Sequence, residues 1–421
     1  MQHIYSFLIV CYGILIRIAS VFNPKAALWI KGRKNYWAIL ENTFRAPKYT
    51  NPSRKLAWFH CASLGEFEQG RPIIEAFGQQ YPGYLILITF YSPSGYEVRK
   101  AYTGADLILY LPLDTQSNAR KFVDTVKPDI VFYVKYEFWF NFLSYLQSKK
   151  IPLILVSAVF RPDQHFFKGY AEWPRKILKG FTKIFVQNED SKELLEFIGI
   201  ENAEISGDTR FDRVAAVAGN PQPIEIAESF SAGHRVFVAG SIWPTDEDLI
   251  FGLIKNSTHN LRFIIAPHEI KPEHIESIMQ KAGSKAVQLS TANTVDVKNA
   301  EILIIDSIGQ LSQLYQYGAV AYIGGGFGVG IHNILEAAAF GLPVFFGPNY
   351  HKFKEAKDLI KLKGAFEIKN GEELLLKTDE LLADDQKLAS TSLVSKNYVL
   401  SGKGATAIIL QRVNELISSG I

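Results

Sequence analysis

At 421 residues the chain exceeds the size at which a single hydrophobic core usually divides, so two domains are expected. Its 48% apolar and 21% charged residues are ordinary for a globular protein and exclude a disordered chain. The net charge of +3 hides an asymmetry: residues 1–55 carry nine basic side chains against Glu41 alone, a net of +8 that leaves the rest at −5. A basic arm attached to an apolar run, ahead of an acidic body, argues against a nucleic-acid partner. Cys11 and Cys61 sit in an apolar run and at a strand end, so neither a disulfide framework nor a zinc site is indicated, and a reducing compartment is the simplest inference.

The first element is the apolar segment 4–22, interrupted by Arg17 and ended by Pro24. It is about the roughly 20 residues that a helix needs to cross a bilayer. If it crosses, the basic flank places the rest of the chain in the cytoplasm. If it lies in the interface, the lysines and arginines face anionic lipid and Arg17 snorkels. A membrane anchor over residues 1–30 is the expectation, with a buried core helix as the plain alternative. A cleaved signal peptide is disfavoured because no basic stretch precedes the apolar run and no small-residue cleavage site comes after it.

Strands and helices then alternate. Strands are expected at 56–59, 85–90, 107–111, 130–134, 153–156 and 183–186, within a first domain over 31–214. Segment 215–233, with Gly219, Pro221 and Pro223, reads as a linker. A second series at 235–239, 262–266, 301–305, 319–323 and 343–346 falls in a domain over 234–421. Such an order predicts an α/β fold with parallel sheets covered by helices on both faces. Two Rossmann-like domains facing each other across a cleft, with a nucleotide on the second, describe the GT-B glycosyltransferase architecture.

Two places carry polar groups at strand ends, where open α/β sheets bind ligands. After strand 56–59 comes HCASLGEFEQGRP, with Glu66 near the start of a helix. The helix N-terminus is expected to keep that carboxylate ionised, and as a base it could take a proton from a sugar hydroxyl. A Glu66 and Glu68 that merely complement the dipole are the alternative. After strand 319–323 comes GGGFGVGIHNILEAAAFGLP. Its glycines let the backbone turn tightly, and free N–H groups near His332 and Asn333 would favour a phosphate. Asn333 and Glu336 share a helix face, and an acceptor-only carboxylate suits ribose hydroxyls. A capped βα turn with a solvated Glu is the alternative, and the pattern departs from the dinucleotide fingerprint. The acidic run Asp246, Glu247 and Asp248 after Pro244 most simply decorates a helix start, so no metal is required.

Taken together, His60, Ser63, Gly65 and Glu66, YLPLD at 110–114, SGDTRFD at 206–212, DSIGQL at 306–311 and HNILE at 332–336 resemble the bacterial Kdo transferases. Those enzymes move 3-deoxy-D-manno-octulosonic acid from CMP-Kdo to the lipid A precursor, lipid IVA, at the inner membrane. The resemblance implies that Glu66 is the general base for an inverting transfer, with Glu137 and Arg210 stabilising the transition state. It assigns CMP to Pro267, His268, the turn Ile308, Gly309 and Gln310, and Asn333, Ile334, Leu335 and Glu336. It implies no cofactor and no metal ion, and an anionic inner-membrane surface on the cytoplasmic face as a partner. The residues by themselves also allow Arg210 to pair with Asp208 or Asp212, and Glu137 with Lys135. The chain departs from the family pattern at Lys135, Phe140, Arg210 and Gln310. For the acceptor, Lys31, Arg33 and Lys34 with Trp29, Tyr36 and Trp37 form a basic, amphipathic approach. Two other readings of the same sequence are a GT-B enzyme using a uridine nucleotide sugar and a membrane-tethered nucleotide-binding protein without catalysis.

Overall fold

The computed structural model describes residues 2–51, 53–169 and 172–419. The chain forms two compact units, Met1–Arg213 with Gly404–Ile421, and Val214–Lys403.

The first unit is built on seven parallel strands: β1 (Lys55–Cys61), β2 (Tyr84–Phe90), β3 (Leu107–Tyr110), β4 (Ile130–Val134), β5 (Leu153–Ala158), β6 (Lys183–Val186) and β7 (Ala203–Ile205), in the order β3-β2-β1-β4-β5-β6-β7. Alternation along β1 sends Leu56 and Trp58 to one face and Ala57, Phe59 and Cys61 to the other, and both faces are buried. On the second face Phe59 stacks on Phe132 at 4.4 Å, over Phe77 of the helix Leu64–Gln80. Ile409, Leu410 and Val413 of the last helix, Ala405–Ser418, complete that layer. The chain end assigned by sequence to the second domain therefore belongs to the first. Asp212 fastens it, accepting the N–H groups of Gly404 and Thr406, both at 2.7 Å.

The second unit contains β8 (Arg235–Ile242), β9 (Leu261–Pro267), β10 (Ala286–Gln288), β11 (Ile302–Ile304), β12 (Val320–Ile323), β13 (Val344–Phe346) and β14 (Ala365–Glu367), all parallel, in the order β10-β11-β9-β8-β12-β13-β14. The segment read as a linker is partly helical. Helix Thr209–Gly219 runs into it, and helix Glu225–Ser231 within it buries Ala227 and Phe230. The prolines lie between these two helices.

At the N-terminus, helices Gln2–Ala19 and Pro24–Lys31 meet at a bend of 117°, and among the described residues no single helix is long and apolar enough to cross a membrane. One side of the first helix packs on the first unit through Tyr5 and Ile16. A Cβ at Gly13 would come within 2.7 Å of Leu113, so the small residue sets how closely the helix seats. The other side leaves Phe7, Leu8, Leu15 and Ile18 exposed, as is Phe22 in the turn beyond it. Arg33, expected on the acceptor approach, turns inward instead. It donates to the carbonyls of Trp29, Tyr91 and Leu111 and lies 3.7 Å over the Trp29 ring. Burial lowers its pKa to about 10.

Asp114, the last residue of YLPLD, ties these parts together. Fully buried, it accepts from Tyr5 Oη at 2.6 Å and from the N–H groups of Asn141 and Phe142 at 3.1 and 2.9 Å, capping helix Phe140–Ser148. Burial pushes its carboxyl up to about 6 even so. Asp114→Ala leaves two amides and a phenol without their acceptor and should cost about 2 kcal/mol of unfolding free energy, measured by urea denaturation. An unchanged midpoint would show that the first helix is not fastened through this residue.

Candidate active site

In the first unit the strand order reverses between β1 and β4, and the chemically interesting groups leave those two strand ends. Glu66 sits in the first turn of helix Leu64–Gln80. Ser63 accepts the Glu66 N–H at 3.4 Å, and Glu66 Oε2 reaches back to the Ala62 N–H at 2.5 Å. The carboxylate is thus positioned by a capping-box-like pair of contacts. The expectation that the helix start would keep it ionised is overturned. Burial, and next the charge of Glu137, push its pKa up to about 8 against the opposing pull of the Ala62 amide and Lys135.

Glu137 comes after β4, and its Oε2 lies 3.6 Å from Nε2 of the fully buried His60, to which Trp139 Nε1 donates at 3.1 Å. The turn that delivers these groups is strained: Lys135 has φ of 64°, a left-handed value that non-glycine residues adopt at a cost.

Arg210 stands in the first turn of helix Thr209–Gly219, after β7 at the far edge of the sheet, and that helix is drawn back across it. Thr209 Oγ1 donates to the Gln69 carbonyl at 2.6 Å and meets Ser157 Oγ at 2.9 Å. The guanidinium is held by Asp208, with Nε and Nη2 at 2.8 and 2.7 Å from Oδ2. The Tyr136 hydroxyl feels the charges of Arg161, Arg210, Asp208 and Glu66 together, after burial as the main cause of its raised pKa. Glu66 and Arg210 therefore share one electrostatic neighbourhood.

The second unit gathers its groups on four neighbouring strands, β11, β9, β8 and β12, again around the order reversal. Pro267 ends β9, and His268 N donates to the Ile242 carbonyl at 2.8 Å. Ile308, Gly309 and Gln310 form the turn after β11, where Gly309 has φ of 93°, and Gln310 Oε1 is buried without a hydrogen-bond partner among the described residues. Some of the amides expected at the exit of the glycine loop are engaged within the protein. The His332 N–H donates to Gly324 O, and the Leu335 N–H to Asn333 Oδ1. The next helix is only Leu335–Ala339, too short for an extended dipole. Asn333 Nδ2 instead donates to Glu336 Oε1 at 3.0 Å, which fixes that carboxylate, while Ile334 and Leu335 are buried.

Three features were not anticipated from sequence. Asp246 is wholly buried and accepts from Trp243 N, Gly325 N and Tyr322 Oη at 2.8, 3.0 and 2.6 Å, so it clasps the glycine loop to the helix Pro244–Asn256. A Cβ on Gly324 would fall 2.3 Å from the Ser241 carbonyl, which is why the loop needs glycine there. Trp243 Nε1 donates to His332 Nε2 at 3.0 Å with the two rings 14° from parallel, and His268 stacks on both at 4.3 Å. An indole N–H can donate only to an unprotonated nitrogen, so His332 is neutral, and burial followed by His268 lowers its pKa to about 4. The signal in the sequence is Trp243 itself, an aromatic residue immediately past a strand end. Glu247 is also buried and meets His274 Nε2 at 2.6 Å and Lys281 Nζ at 2.5 Å, so this part of the acidic run is not mere decoration. No group of three or more His, Cys, Asp or Glu among the described residues is spaced to hold a metal ion.

Because Glu66 is held protonated in the native state up to about pH 8 but ionises near pH 4 when unfolded, it makes the wild type lose stability as pH rises across that window. Glu66→Gln lacks this loss. Its melting temperature relative to wild type should rise between about pH 5 and about pH 9; a difference constant with pH in calorimetry would contradict the burial of this charge.

A family model described as 3-deoxy-D-manno-octulosonic-acid transferase (kdotransferase) matches residues 38–213. The 3-deoxy-D-manno-octulosonic acid transferase of Aquifex aeolicus is 30% identical over 333 residues, 77% of this chain and 86% of that protein. That of Rickettsia felis is 29% identical over 82% of this chain and 76% of its own length, and that of Haemophilus influenzae 22% identical over 98% and 96%. Among solved structures, a UDP-N-acetylglucosamine 2-epimerase superposes with a TM-score of 0.61 at 15% identity, covering 86% of this chain and 95% of that one. MurG of Acinetobacter baumannii gives 0.54 at 12% identity, covering 86% and 100%. At such identities the structures speak to the fold alone, which is of GT-B type.

Proposed function

This chain belongs to the 3-deoxy-D-manno-octulosonic acid (Kdo) transferases and is a glycosyltransferase of Kdo, and we propose that it takes the sugar from CMP-Kdo and delivers it to the lipid A precursor, with inversion and without a metal ion. The observation that carries the reading is the Glu66 carboxyl, fixed at the β1 strand end and made more basic than an ordinary carboxylate by burial and by Glu137. A base with a pKa near the working pH is what general-base catalysis requires.

In the reaction, ionised Glu66 takes the proton of the acceptor hydroxyl while that oxygen attacks the anomeric carbon. The bond from that carbon to the phosphate oxygen breaks, and CMP leaves with its electron pair. Arg210, aligned by Asp208, supplies fixed positive charge for the carboxylate of Kdo or the leaving phosphate. Glu137 acts on Glu66 as the largest charge influence on its carboxyl. In the second unit the unpartnered Gln310 Oε1 suits an amino-group donor such as that of cytosine, and Glu336, fixed by Asn333, suits ribose hydroxyls.

The acceptor reading rests on the N-terminal helices. A groove of about 550 Å³ beside them is lined by Gly13, Arg17, Lys31, Lys34, Trp37 and Leu113, and the first helix leaves its outer side apolar. An apolar side rimmed by cations suits the cytoplasmic leaflet of the inner membrane and a phosphorylated lipid.

Transfer from CMP-Kdo to a tetra-acylated lipid A precursor in the presence of a chelator tests the core of this reading. Wild type should form product and Glu66→Gln should lose at least about 100-fold in kcat while still binding CMP. Competition by UDP but not CMP would point to a uridine donor, and turnover by the Gln variant would remove Glu66 as the base. Replacing Lys31 and Lys34 together by Ala should raise the KM for the lipid acceptor several-fold and leave the KM for donor unchanged. Arg33→Ala should instead lower the melting temperature, because its cation is committed to buried carbonyls.

A further inference from the structure

His60 ends the row of β1 that begins with Leu56 and Trp58, and its ring has no exposed surface. Its Nδ1 lies 2.8 Å from Thr89 Oγ1, which also accepts from Trp58 Nε1 at 2.7 Å. Its Nε2 faces two neighbours with opposite demands. Trp139 Nε1, at 3.1 Å, can donate only to an unprotonated Nε2, whereas Glu137 Oε2, at 3.6 Å, gains only from a protonated one. Thr89 can accept from Nδ1–H in either case, so the ring need not turn to change partners.

We propose that His60 is a positioning residue that sets how much negative charge Glu137 presents to the general base. With Nε2 unprotonated, Trp139 holds the ring and Glu137 acts undiminished on Glu66. With Nε2 protonated, the imidazolium pairs with Glu137, and Glu66 keeps its own charge and can take the proton of the acceptor. The exchange conserves the proton, which leaves the carboxylate pair and comes to rest on Nε2. It rests on the reading of Glu66 as the base.

The groups facing this ring leave little else to respond. Glu137 and Lys135 come from the segment after β4, and Glu66 from the helix after β1. The Tyr133 ring on β4 is 5.1 Å away, and Tyr91, after β2, stacks on Trp139 at 4.3 Å. Cys61 is next in the chain on the opposite face. Burial raises the pKa of both tyrosines and of the Cys61 thiol, so all three are neutral. Farther back, Asp114 acts on Tyr133 and Tyr91, and Arg33 on Tyr91.

The test is the pH dependence of kcat/KM for wild type, His60→Phe and Trp139→Phe. His60→Phe removes the group that can neutralise Glu137, so Glu66 holds its proton longer and the acid limb should move up by about one pH unit, with the KM for donor unchanged. Trp139→Phe removes the N–H that occupies Nε2, and its acid limb should move down. A merely structural histidine would lower the melting temperature in both variants and move neither limb, or move both the same way; either result overturns the proposal. If His60→Phe does not fold, Trp139→Phe decides by the direction of its shift. Placing His60→Phe in a Glu137→Gln background should erase its shift, and a shift that persists there also overturns the proposal. Turnover by Glu66→Gln would fail the underlying reading, whereas an inactive Glu66→Gln with unmoved limbs fails this inference alone.

Discussion

Every strand pairing in both units is parallel, and parallel pairing forbids a short return between neighbours. Each strand must be succeeded by a crossover, so all strand ends of one kind gather on a single edge of each sheet. Where the strand order reverses, the crossovers leave toward opposite faces and open a gap at the strand ends. The first sheet reverses between β1 and β4, and Glu66, His60 and Glu137 stand there. The second reverses between β8 and β12, and Trp243 and the glycine loop stand there. Two unrelated sets of side chains thus occupy equivalent topological positions, a result of the pairing rule rather than of any similarity between the sequences.

What those positions do to a carboxylate depends on magnitudes. A helix N-terminus stabilises a negative charge by about 0.3–1 kcal/mol, and one pKa unit corresponds to about 1.4 kcal/mol. The dipole at the start of Leu64–Gln80 therefore offsets less than one pKa unit, while burial beside a second carboxylate acts in the opposite direction and wins. Asp114 shows the same competition with a different outcome in use. It is also raised by burial, yet its three donors commit it to holding the first helix and capping another. Asp114 is engaged by three donors from two helices, whereas the Glu66 charge is opposed by a neighbouring carboxylate.

The fold was legible in the sequence wherever strands are buried on both faces. Runs such as ILITF and IVFYV carry no competing pattern, and all eleven strands expected from such runs are present. The three that were not expected, β7, β10 and β14, are three residues long and lie at sheet edges. An edge strand has one neighbour and a half-solvated face, so it needs little apolar periodicity and shows little. The return of helix Ala405–Ser418 to the first unit was illegible for a different reason. Its apolar face would suit either sheet, and only the empty layer over Phe59 and Phe132, together with Asp212 some 190 residues earlier, decides between them.

Candidate site residues were legible as positions but not as partnerships. Strand ends and glycines locate Glu66, His268 and Glu336, and ordered motifs locate Arg210 and Gln310. Nothing along the chain relates His60 to Thr89 and Trp139, or Trp243 to His332, because those contacts join residues 29 to 89 positions apart. The N-terminal helix marks the same boundary. Its composition is apolar all round, which by itself fits a bilayer span or a core helix equally. Only the position of Gly13 against Leu113, and the bond from Tyr5 to Asp114, show that one side is taken by protein. A helix already committed along one side has only its remaining apolar side to offer any other surface, and Arg17, Lys31 and Lys34 line the groove beside it.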